Sequence, residues 1–242
     1  MNIELAKTAM TPLCRKINSG RVVMSTIAIK NGYAYASDGH IAVRCRVEMP
    51  DGQPCDSTYD DCPKEYPIEP LGMLLDGTTV KKWMVLPTES QDWYSLVEEL
   101  EKEIEKKKAK AVEERESRYK PEECPCCGET IYYDKSEYKL VNEEDVPNPE
   151  DIDYRATLIP VEVVIDDESV VVDFGYLWAV YTVLGKFEVG KDGFGRLAIR
   201  QVNARGCIVA LERLRLLSSG SMPFVLQCEQ ALDKQEAEGG AK

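Results

Sequence analysis

The sequence predicts an α+β fold made of two β-α-β-β-β halves, with a charged helix and a cysteine knuckle inserted between them. Three observations carry this. Residues 41–47 alternate, with Ile41, Val43, Cys45 and Val47 on one face and Ala42, Arg44 and Arg46 on the other. The order strand, helix, strand, strand, strand recurs over residues 169–216, so the chain reads as a diverged repeat. Between these stretches the chain turns into a highly charged helix, a Cys-Pro-Cys-Cys-Gly turn and an acidic linker.

In the first half, residues 2–5 read as a short strand. Ala9, Leu13 and Ile17 then recur at a spacing of four and predict a helix over 7–18, which starts near Thr11 or bends at Pro12 and stops at Ser19-Gly20. Residues 22–30 are β-branched and read as a strand. Asn31-Gly32 is a two-residue hairpin turn leading to a return strand over 33–37. In the second half the strands are 170–173, 187–189, 195–201 and 207–211. Turns at 191–193 and 204–206 separate them, and residues 175–184 form a helix with Leu177, Val180, Tyr181 and Leu184 on one face.

The intervening segment differs in kind. Residues 95–119 form a helix with an apolar stripe of Leu96, Leu100 and Ile104, and with Glu98–Lys102, Glu103–Lys107 and Glu114–Arg118 at (i, i+4) in the favourable order; Pro121 ends it. The resulting division is 1–90 with 156–217 as one domain, 91–155 as an insertion and 218–242 as a C-terminal tail.

The 242 residues carry a formal net charge of −13 and 43% hydrophobic content, which excludes wholesale disorder. Such acidity opposes nucleic-acid binding by the chain as a whole. Resolved by segment, however, residues 1–50 carry net +4 and 169–217 net +3, while 91–153 carry net −10. No apolar run approaches the ~20 residues of a membrane span, and residues 1–4 do not open a secretory signal, so a cytoplasmic protein without membrane contact is expected. The nine cysteines are then reduced thiols or metal ligands, with Cys14, Cys45 and Cys207 on apolar faces. His40 is the single histidine, and no nucleophile motif accompanies it or Asp38, so no catalytic residues are expected. Asp38-Gly39 is turn chemistry, and the His40 ring is expected to hydrogen-bond a nearby carbonyl.

Ala36-Ser37-Asp38-Gly39-His40-Ile41-Ala42-Val43, at the end of a hairpin, resembles the opening of the bacterial DNA polymerase III beta subunit, the ring-shaped sliding clamp. Residues 171–177 through 209–211 look like the closing half of a clamp domain. The resemblance implies a DNA-clamp-like domain, no catalysis, replication proteins and duplex DNA as partners, and a ring made from several copies, since the length allows one domain. It further implies helices that supply cations to phosphates. Lys7, Arg15 and Lys16 of the first helix fit that role, but the second helix, 175–184, contains no cation.

Cys124-Pro125-Cys126-Cys127-Gly128 contains the Cys-Pro-x-Cys-Gly half-site for tetrahedral Zn2+, with Cys124 and Cys127 as ligands. Cys55 and Cys62, in the loop 49–65, are candidates for the other pair. Two knuckles from two chains sharing one ion, similar to the zinc hook of DNA-repair coiled coils, is a second arrangement, and a metal-free turn a third. Two functions stand open: a replication-associated clamp-like protein, or an interaction module assembled through a zinc-bearing arm without a grip on DNA.

Overall fold

The computed structural model describes residues 2–14, 22–48, 61–128, 130–211 and 223–230. The chain is mixed α+β and divides into two compact units, Met1–Tyr94 with Ile159–Lys242, and Ser95–Leu158.

In the first unit the chain opens with a helix where the sequence predicts a strand. Helix α1 (Ile3–Ala9) forms because Asn2 caps it, its Oδ1 accepting from Leu5 N at 2.8 Å, and because Ile3, Ala6 and Met10 share a buried face. Only a bridge between Asn2 and Glu48 remains of the predicted strand. The helix also stops earlier than expected. Pro12 lies in a 3-10 turn, Thr11–Leu13, and cannot donate to a continuing α ladder; residues 15–18 of the predicted helix lie outside the described residues. A second 3-10 turn (Val22–Ser25) shortens the next predicted strand to β1 (Ala28–Lys30). Asn31 and Gly32 have φ of 53° and 79°, the twist that joins β1 to β2 (Tyr33–Ser37), and β3 (Ile41–Arg46) follows.

Helix α2 (Ile68–Asp76) and β4 (Met84–Val85) precede the aromatic start of α3 (Gln91–Arg118). After the second unit, β8 (Pro160–Ile165) and β9 (Glu168–Asp173) form a hairpin, and α4 (Phe174–Leu184) begins at once, capped by Asp173. Three strands complete the half: β10 (Glu188–Lys191), β11 (Leu197–Gln201) and β12 (Ala204–Ile208). The turn before β12 is Val202-Asn203, not the predicted 204–206. Gly206 is a strand residue: a Cβ there would lie 3.1 Å from Ala42 O, so the glycine permits a close cross-strand approach. Residues 224–230, read as tail, form β13 (Phe224–Gln227) and β14 (Glu229–Gln230).

The main sheet has the order β1-β2-β3-β12-β11-β10-β4-β14. Each half thus contributes a three-strand meander, and the last strands of the two meanders pair antiparallel, from Ile41↔Ile208 to Cys45↔Ala204. Helix α1 contacts β2 and α4 contacts β12, each a strand of its own half. Helix α2 lays Leu71 and Leu75 on Tyr35, Ala42 and Cys207, which explains why Ala42 is buried although the alternation assigned it to a polar face. A separate three-stranded sheet, β13-β8-β9, pairs β13 parallel to β8. Trp93 is 1% exposed, with its ring 4.9 Å from Phe174 and 5.3 Å from Tyr181, centroid to centroid.

The second unit holds most of α3 and the antiparallel sheet of β5 (Tyr119–Glu123), β6 (Thr130–Asp134) and β7 (Lys139–Val141). Pro121 lies in β5; α3 ends three residues earlier, at Arg118. Leu96 and Leu100 are buried as expected, and Arg118 pairs with Glu114 at 3.5 Å. Glu103 pairs with Lys106 rather than Lys107, whose ammonium donates to Ala156 O. Tyr119, Tyr132 and Val146 form a small core of this unit. No helix among the described residues is long and apolar enough to cross a membrane.

Candidate metal centre

The cysteine knuckle is the tip of the β5–β6 hairpin. Its base is set by Asp134, the last residue of β6. Arg118, the last residue of α3, grips that carboxylate through Nε (3.1 Å) and Nη2 (2.7 Å), while Ser136 N (2.8 Å), Ser136 Oγ (2.7 Å) and Glu137 N (3.2 Å) donate to Oδ1. These donors hold the Asp134 carboxyl far below the usual carboxylate range, the Arg118 guanidinium foremost. The helix end, the β6–β7 turn and the hairpin therefore meet at one side chain.

At the tip, Gly128 N donates to Cys124 O at 2.9 Å, and Gly128 takes φ of 77°, so the chain reverses within five residues. This fold-back brings Cys124, Cys126 and Cys127 together, with their sulfurs within 4.8 Å of one another. Cys124 and Cys126 Sγ are 2.8 Å apart. A hydrogen bond from the Cys126 thiol pulls Cys124 down to about 7, and Cys126 itself is pushed up by the same contact. Burial does the reverse to the core thiols: Cys45 and Cys207 rise to about 11 and Cys228 to about 12. The three clustered sulfurs are close enough together to share one metal ion, and three sulfur donors suit a soft or borderline cation.

The predicted ligands fare differently. Cys124 and Cys127 are brought together. Cys126, passed over because the C-x2-C spacing drew attention to its neighbours, is the third member of the cluster. Cys62 lies in the first unit, its Sγ 3.4 Å from Pro63 O, and Cys55 lies outside the described residues.

Of the cations expected to meet phosphates, Lys7 is in the last turn of α1 and forms an ion pair with Asp61 at 2.6 Å, while Arg15 and Lys16 lie outside the described residues. Helix α4 presents Tyr176, Trp178 and Tyr181 in place of cations. The Ser37–His40 loop is a structural turn. Asp38 Oδ1 accepts from His40 N (2.8 Å) and Ile41 N (3.0 Å), and Ser37 Oγ donates to Ile41 O (2.8 Å). Among the described residues the His40 ring has no carbonyl hydrogen-bond partner. It stacks on Tyr176 at 5.8 Å, because the turn directs it across to α4.

Comparison with protein-family models, with curated proteins and with solved structures finds no match.

Proposed function

We propose that this chain is a non-catalytic, sliding-clamp-like scaffold associated with DNA replication, carrying a zinc-binding arm. The observation that carries the reading is the β3–β12 junction, about which the strands of the two meanders are arranged in mirrored order. Clamp domains of the family that the Ala36–Val43 stretch resembles repeat one motif in this way. One domain cannot surround a duplex, so several copies assemble, and duplex DNA and replication proteins are the partners. The setting is the cytoplasm, where thiols stay reduced.

Zn2+ is the ion of the arm in this reading. Cys124, Cys126 and Cys127 supply three sulfurs, and the fourth ligand comes from outside the cluster. The ion's role there is structural, fixing the hairpin tip.

A second reading is favoured by α4, which has no lysine or arginine, and by the pairing of Lys7 with Asp61. Here the same fold serves protein contacts through its arm and does not encircle DNA. Solution mass together with retention on closed circular against linear duplex separates the two. A multimer held on circles and lost on linearisation supports the clamp. A monomer that is not retained on circles removes it and leaves the interaction module.

A further inference from the structure

On the face of the main sheet that α2 partly covers, arginines line up across the strands. Arg44 of β3 is the register partner of Arg205 of β12, and Arg205 is in turn the partner of Arg200 of β11. Arg46 lies two residues beyond Arg44 on the same face. Like charges placed directly opposite across a ladder repel, so the fold keeps an unfavourable pair at the centre of its sheet.

The surrounding carboxylates relieve only part of this. Asp76, at the end of α2, takes a two-pronged hydrogen bond from Arg44, and Glu188 accepts from Arg200 at 2.6 Å. Arg46 and Arg205 are exposed, and among the described residues neither side chain has an ion pair or hydrogen bond. Arg44 is held over the Tyr33 ring at 4.9 Å, and its Nε is buried with no acceptor. Arg44, Arg46, Arg205 and Asp76 line one open cavity of about 330 Å³, together with Tyr33 and Asn203. It holds three guanidinium groups against one carboxylate.

We infer that this cavity is a binding site for a phosphate-class oxyanion, gripped by Arg46 and Arg205, with Arg44 fixed behind them by Asp76. The guanidinium fork matches phosphate oxygens bidentately, which a lysine would not. An anion seated between the strands offsets the Arg44–Arg205 repulsion. Phosphate can come from a free polyphosphate or from a nucleic-acid backbone, and both present the same oxygens. The site is independent of ring formation and of the cysteine arm, because it belongs to one sheet of one chain.

The test uses the full chain with two probes: inorganic tripolyphosphate, and a fluorescent single-stranded oligonucleotide at several salt concentrations. Because Arg46 is exposed, R46Q is expected to leave thermal unfolding unchanged, and R205Q, which also removes the Arg44–Arg205 repulsion, is expected to keep or raise the unfolding temperature. Each should weaken binding by about tenfold or more, and each should lower the salt slope of oligonucleotide binding by about one. R205K should recover part of the loss. K186Q, which removes a cation paired with Glu89, serves as the control and should bind as the parent does. Arginine-dependent binding of tripolyphosphate alone identifies a free phosphate ligand, and arginine-dependent binding of the oligonucleotide alone identifies a backbone; either supports the site. Binding of neither probe, or binding unaffected by R46Q and R205Q, overturns it. Failure of circular-DNA retention with this binding intact would remove the clamp reading and leave the site.

Discussion

Asp173 links the cap of α4 to a pH dependence of folding that can be worked out from its surroundings. Its Oδ1 accepts from Gly175 N at 3.1 Å and from Ile159 N at 3.2 Å, and the residue is 5% exposed. Burial outweighs these two bonds and raises the carboxyl from 3.8 to about 6. The folded chain therefore holds this proton more tightly than the unfolded chain does. Below pH 3.8 both states keep it and no penalty exists. Between 3.8 and about 6 the unfolded state has released it and the folded state has not, so stability falls as pH rises; above about 6 the penalty is complete. A tenfold change in proton affinity corresponds to about 1.4 kcal/mol, which makes the full effect about 3 kcal/mol. Asp173→Asn removes the charge and keeps an oxygen that caps nearly as well. The variant should match the parent near pH 3.5, apart from a constant offset, and gain on it by up to about 3 kcal/mol by pH 7.5. Urea unfolding followed by tryptophan fluorescence across that range measures the difference, in which all other titrations cancel. A difference independent of pH, or one that grows toward acid, would refute burial as the cause.

Trp93→Ala removes the centre of the Phe174–Trp178–Tyr181 cluster and should cost about 3–5 kcal/mol in the same unfolding assay. Gly206→Ala places a methyl 3.1 Å from Ala42 O and from Val43 Cγ2 in the strand junction; a loss of about 1–3 kcal/mol is expected, and a neutral result would mean the two strands can part freely. Protein purified without chelator should carry about one zinc per chain by elemental analysis, and Cys124→Ser or Cys127→Ser should bring it near zero. Cys126→Ser separates a three-sulfur cluster from a two-sulfur knuckle: undiminished zinc in that variant would exclude Cys126 as a ligand.

Local devices were legible in the sequence. Asn31-Gly32 announced its hairpin, the period-two run of 41–47 announced β3, and the apolar face of 175–184 announced α4. The same holds for Cys124 and Cys127, whose spacing around Pro125 marks a knuckle. The errors fall where two local signals competed. Residues 2–5 are apolar enough for a strand, and the cap from Asn2 to Leu5 N decided for a helix. Ala204-Arg205-Gly206 looks like a turn, and the need for a close strand contact at Gly206 decided for a strand.

What the sequence alone determined is therefore a subset of the local elements, those such as β2, β3 and α4 where turn chemistry and periodicity agree, because such signals act within a few residues. Only the tertiary structure decided which segments meet. The pairing of Ala42 with Cys207 joins parts of the chain far apart in sequence, and nothing within either strand specifies the other. The burial that raises Asp173, the register that sets Arg44 against Arg205, and the fold-back that adds Cys126 to its neighbours follow from the packed chain. Desolvation and charge proximity are properties of three-dimensional surroundings, so these three sites took on their chemistry only when the chain folded.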